Sequence, residues 1–96
     1  MSNAVIGFEW DDGNIAKCQK HGLTQSDIES VFAGVVVILP DPSTTEIRQR
    51  AIGRTARAVS CFWYTVRRQL IRPISARYMH AKESAAFEKA YPQLQK

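Results

Sequence analysis

Val59-Ser60-Cys61-Phe62-Trp63-Tyr64-Thr65-Val66, closed by Arg67-Arg68-Gln69 and followed by Leu70-Ile71-Arg72-Pro73-Ile74-Ser75-Ala76, is the stretch on which the fold turns. β-Branched and aromatic residues fill most of the first eight positions, and such side chains suit a pleated, half-buried surface. The polar break after them is the length of a hairpin loop. Leu70 to Ala76 then reads as the returning strand. Pro73 cannot donate to a ladder, so it predicts an edge position or a bulge.

Working outward, residues 46–53 form a preceding strand. Alternation puts Arg48 and Arg50 on one face, and Ile47, Ala51 and Gly53 on the other. Gly53 to Arg57 is the turn between them. The run Val35-Val36-Val37-Ile38-Leu39 reads as a strand buried on both faces, and Pro40-Asp41-Pro42-Ser43 as the turn that ends it. Further upstream, Phe8-Glu9-Trp10 is a short edge strand. Asp11 or Asp12 caps a helix carrying Ile15 and Cys18 on one face, and Gly22 supplies its left-handed stop. Thr24, with Asp27 three residues on, caps a second helix whose Ile28, Val31 and Phe32 make one apolar stripe. The link between the two is so short that a tight helical hairpin is expected. Downstream, a helix runs from about His80 to Tyr91 and Pro92 closes it. The fold class is therefore α+β: an antiparallel sheet of about four to five strands, an N-terminal helical hairpin and a C-terminal helix in one domain, residues 5–92. Residues 1–4 read as an expression scar or a disordered terminus.

Ninety-six residues leave no room for a second core. The longest apolar run has five residues, too few to cross a bilayer, and no charged-then-apolar leader is visible. Cys18 and Cys61 are far apart and lack metal-ligand or redox-motif spacing. Buried free thiols in a reducing cytoplasm are the expectation. Charge carries more information. Residues 1–46 hold seven acids and two bases, a net of −5, whereas residues 47–96 hold eleven bases and two acids, a net of +9. Eight of those bases are arginines between Arg48 and Arg77. Such asymmetry predicts a basic face that attracts a polyanion, RNA or DNA, against the plainer alternative of a solvated strand face.

Phe8-Glu9-Trp10-Asp11, Lys20-His21-Gly22 and Val31-Phe32 resemble the opening of the BrnT toxin family. Glu46-x-Arg48, Ile52-Gly53-Arg54, the aromatic strand ending at Thr65, and Arg72-x-Ile74-Ser75-Ala76-Arg77 continue the likeness, which covers about Phe8 to Tyr91. Two positions depart from it. Lys17 stands where an asparagine is usual, and Pro73 where an aliphatic residue is usual. The resemblance implies a fold like that of RelE-type ribonucleases and toxicity through RNA cleavage. It also implies neutralisation by a BrnA-type antitoxin, whose ribbon-helix-helix domain would carry the complex to its own promoter DNA. The antitoxin is expected to mask the same basic face that RNA uses.

RNA cleavage without a metal or other cofactor uses the substrate's 2′-OH as nucleophile. The protein must remove its proton, stabilise the phosphorane and protonate the leaving 5′ oxygen. The planar, permanently charged fork of arginine suits the second task. Arg54 and Arg77 stand at strand ends and are the first candidates. The structural alternative is that they pair with Glu83, Glu88 or another acid. Arg48 and Arg72 are RNA-binding candidates, with Lys82. His21, beside Lys20, is the natural proton carrier, with His80 as a competitor and Glu9 or Glu46 as alternative bases. Trp10 and Tyr78 could stack on bases, although alternation places Trp10 with Phe8 in a core. The competing function is a non-catalytic module of the same fold that binds nucleic acid or the antitoxin.

Overall fold

The computed structural model describes residues 5–41, 48–55 and 57–94. The expected start of the 46–53 strand (Glu46 and Ile47), the Pro42-Ser43 half of the proline turn, Ala56 and the four N-terminal residues lie outside them.

The chain runs β1 (Gly7–Phe8), α1 (Asp12–Gln19), α2 (Gln25–Ala33), β2 (Val36–Asp41), β3 (Arg48–Arg54), β4 (Val59–Arg67), β5 (Leu70–Tyr78) and α3 (Ala81–Ala90), then a 3₁₀ turn at Pro92–Leu94. The sheet order is β1-β5-β4-β3-β2. The aromatic strand β4 lies at the centre, and Phe62 in its middle is fully buried. Its hairpin with β5 turns on Arg68 and Gln69, both at positive φ (51° and 67°). Two left-handed residues match the right-handed strand twist, as in a type I′ turn. Pro73 meets its expectation as a bulge: Trp63 pairs with Ser75 and Tyr64 with Pro73, so Ile74 is the extra residue.

Three expectations need correction. β1 pairs with β5 in parallel, so the sheet is mixed and not wholly antiparallel. A two-residue strand leaves no pattern from which direction could be read. The helices α1 and α2 do not form a packed hairpin. α1 lies chiefly along β5 and α2 over β3, because each apolar stripe finds the sheet before it finds the other helix. Their ends are as expected: Asp11 and Thr24 each complete a reciprocal cap, and Gly22 has φ 89°. Finally, Val35 to Leu39 is not buried on both faces. β2 is an edge strand, and Val35 and Ile38 are 55% and 39% exposed.

The register divides the side chains of the sheet between two cores. On one face Ala51, Phe62, Tyr64, Ile71 and Ala76 meet Cys18, Leu23, Ile28 and Val31 from the helical side. Phe32 sits edge-on to Phe8, Phe62 and Tyr64. On the other face Val37, Ile52, Val59 and Cys61 meet Met79 and Leu94, with Phe87 and Tyr91 of the α3 segment packed against them. Both cysteines are buried and unbridged, and burial pushes each thiol up to about 11. No helix among the described residues is long and apolar enough to cross a membrane.

Candidate functional site

Strand alternation and the observed register put six of the eight arginines on the α3 face. Arg48, Arg50 and Arg54 alternate along β3, Arg67 ends β4, and Arg72 and Arg77 lie opposite Thr65 and Cys61. Arg57 and Arg68 lie in turns. The bulge at Ile74 separates Arg72 from Arg77, and the face accordingly carries two groups of cations.

The upper group is bound to α3. Arg77 makes a two-pronged contact with Glu83, Nη1 to Oε1 at 2.8 Å and Nη2 to Oε2 at 3.0 Å. Its guanidinium also stands 5.8 Å from the centre of the Trp63 ring. Arg54 pairs with Glu88 and donates from Nε to the Leu94 carbonyl at 3.2 Å. Both therefore make the carboxylate contacts named above as the structural alternative, while sharing one face. The Arg77 contact raises the pKa of that guanidinium and holds the Glu83 carboxyl below the usual carboxylate range. Backbone and charge of His80, the N-cap residue of α3, add to the same effect on Glu83. His80 thus stands with Arg77 and Glu83. Between the groups is Arg50, opposite Trp63, whose Nε is buried without a hydrogen-bond partner among the described residues. Strand alternation had already placed Arg50 beside Arg48, but position alone gave no sign of that buried donor.

The lower group lines a cleft of about 240 Å³ formed by Gly13, Asn14 and Lys17 of α1 with Arg48, Thr65, Arg67, Arg72, Pro73 and Ile74 of the sheet. Arg72 reaches Asp11 Oδ2 at 2.7 Å and lies 3.9 Å from Glu9 Oε1. The Asp11 carboxyl is held low first by the Asn14 backbone N–H and then by Arg72. Buried Asn14 anchors α1 to the strand. Its Nδ2 donates to the carbonyls of Glu9 and Pro73, at 3.0 and 2.9 Å. Lys17, one of the departures from the family pattern, faces into this cleft, as does Arg67. Sequence reasoning missed both as site residues, because only the packing of α1 along β5 brings them to Arg48 and Arg72.

The remaining candidates lie elsewhere. Lys20 and His21 are exposed beyond the end of α1, next to Gly22. A Cβ on Gly22 would lie 3.8 Å from the Tyr78 ring. Tyr78 pairs with Ser60 on the helical face, and Arg57 stands 5.2 Å over its ring. His21 and Lys20 are thus not brought together with Arg54 and Arg77. The Trp10 ring packs against the helical-side core and its Nε1 donates to Glu29 at 2.9 Å. Lys82 is exposed in the first turn of α3. Glu46 lies outside the described residues. Among those residues no three of His, Cys, Asp and Glu gather in a metal-holding group.

A comparison with curated proteins gives no match. Residues 10–83 match the family model described as ribonuclease toxin BrnT of the type II toxin–antitoxin system. That span runs from Trp10 to the carboxylate on Arg77 and takes in every arginine of the sheet face, and this chain belongs to the BrnT family of type II ribonuclease toxins.

Proposed function

We propose that the chain cleaves RNA without a resident metal, on the α3 face of the sheet, and is silenced by a BrnA-type antitoxin. Family membership carries the coarser statement, a ribonuclease toxin with an antitoxin partner. The observation that supports the finer one is the gathering of six guanidiniums on a single sheet face. Arg77 and Arg54, with Arg50 between the cation groups, are placed to hold a phosphate and to stabilise the added charge as the 2′ oxygen attacks phosphorus. The 5′ oxygen then leaves with a proton, and a 2′,3′-cyclic phosphate remains on the upstream piece. His80, beside Glu83 and Arg77, is better placed for the proton transfers than His21 with Lys20. Trp10 and Tyr78 are assigned to the helical side of the sheet, away from that face, and Lys82 lies at the edge of the RNA path.

The ion pairs of Arg54 and Arg77 also favour a second reading, a non-catalytic module in which α3 has permanently claimed those side chains. One experiment separates the two. Purified chain incubated with RNA and a chelator should cut it, and Arg77→Ala should abolish the cutting. RNA left intact at a large excess of folded wild-type protein would leave only the module. Binding of the product of an adjacent reading frame with a ribbon-helix-helix pattern, and of promoter DNA only through it, tests the partner assignment.

A further inference from the structure

We infer that the cleft between α1 and the lower ends of β3, β4 and β5 is a second phosphate subsite, which grips the RNA strand away from the bond being cut. This rests on the RNA reading above. Lys17 from α1, Arg48 from β3, Arg67 from β4 and Arg72 from β5 converge on it, and Thr65 adds a hydroxyl. Among the described lining residues no carboxylate occurs. The acids nearby act from outside: Asp11 and Glu9 hold Arg72 from the rim. Those rim contacts offset part of the charge, and the four cationic side chains together still offer an entering phosphate several charged donors at once. A cleft of about 240 Å³ has room for a phosphate with part of its sugar.

Its position fits one strand laid across both groups. Arg72 lies opposite Thr65 and Arg77 opposite Cys61, four residues apart on β4. At about 3.3 Å per residue the separation is roughly 13 Å. That is farther than one phosphodiester repeat, so the lower cleft takes a phosphate that flanks the scissile one. The bulge at Ile74 is the element that separates the two positions.

The test uses full-length protein and a 2′-O-methylated single-stranded RNA, which lacks the attacking hydroxyl and stays intact. Wild-type protein should bind it with a steep salt dependence, and inorganic pyrophosphate should compete. Lys17→Glu and Arg67→Glu, each confirmed folded by circular dichroism, should weaken binding about tenfold. Each should also flatten the log–log salt slope by roughly 0.7 for every phosphate that is no longer neutralised. Wild-type affinity and slope in both variants would overturn the subsite, and cleavage lost in Arg77→Ala would still leave the nuclease reading standing. If wild-type protein binds pyrophosphate but not the RNA, and Lys17→Glu abolishes pyrophosphate binding, the cleft holds a free phosphate and its assignment to RNA is overturned.

Discussion

Replacing Asn14 by leucine should destabilise the protein by about 3 kcal/mol, because this one buried amide joins α1 to the sheet. Asn14 is 4% exposed. Its Oδ1 accepts from the Asp11 N–H at 2.7 Å, completing the cap, and its Nδ2 spans the Glu9 and Pro73 carbonyls. Leucine keeps the bulk and removes all three bonds. Each is worth roughly 0.5–1.5 kcal/mol net, and a buried carbonyl left without its donor costs about 1–3 kcal/mol. Pro73 is itself fully buried, so water has poor access to its oxygen. The terms overlap, which is why the sum stays near 3 kcal/mol. For a domain of this size that lowers the thermal midpoint by roughly 12–24 °C. Equilibrium denaturation followed by circular dichroism measures it. A loss below about 0.5 kcal/mol would show that α1 is held by its apolar face alone and that the amide bridge contributes nothing. Asn14→Asp sharpens the test. A carboxylate aimed at two carbonyls is repelled, so this variant should lose stability as pH rises through the ordinary carboxylate range and recover when protonated.

Three other perturbations follow from single features. Gly53→Ala should cost about 1–3 kcal/mol, since a Cβ there would lie 2.6 Å from Val31 Cγ1 and 3.1 Å from the Val35 carbonyl, lifting α2 off β3; a thermal melt matching wild type would contradict this. Arg68→Asn with Gln69→Gly should raise stability by roughly 1 kcal/mol or more, because neither native side chain favours the left-handed backbone it occupies; a lower denaturation midpoint would count against the turn assignment. Arg77 depresses the pKa of Glu83, so the pair's contribution is present above the ordinary glutamate value and is lost as pH falls through the lowered one; in Glu83→Gln the acid limb of the stability profile should be flatter, and an unchanged limb would show that the contact does not outlast solvent screening.

The parts of the fold legible in the sequence were those decided within one or two neighbouring elements. The β4–β5 hairpin, the caps at Asp11 and Thr24, the stop at Gly22 and the bulge at Pro73 all follow from local chemistry. Val35 to Leu39 misled because an apolar run has the same composition whether or not a helix reaches across to cover Ile38. The direction of β1 was invisible in two residues. At the site, alternation sufficed to put Arg48 and Arg50 on one face, and register then extended that face to Arg54, Arg67, Arg72 and Arg77. The cleft could not be read, because Lys17 belongs to it only through the docking of α1, and that docking depends on an amide bonding a carbonyl 59 positions away.

Whether α3 blocks the upper arginines is a question of magnitudes. The side chains of Arg77 and Glu83 are 33% and 32% exposed, and those of Arg54 and Glu88 are 30% and 25% exposed. Pairs this accessible to solvent contribute about 0–1 kcal/mol each. A hydrogen bond to a charged group contributes about 1.5–3 kcal/mol, and a phosphate can take two at once from a guanidinium fork. Glu83 already holds Arg77 through the same fork, so exchange of carboxylate for phosphate trades like for like at the arginine, and the opposing term is the apolar packing of Phe87, Tyr91 and Leu94 against the sheet. That packing need not be broken: Glu83 and Glu88 can swing to solvent while those side chains stay in place. On this arithmetic the carboxylates are displaceable occupants of anion positions, and Glu83→Gln should leave Arg77 more available to RNA and tighten binding. Weaker binding in that variant would mean that Glu83 positions Arg77 for the phosphate and does not compete with it.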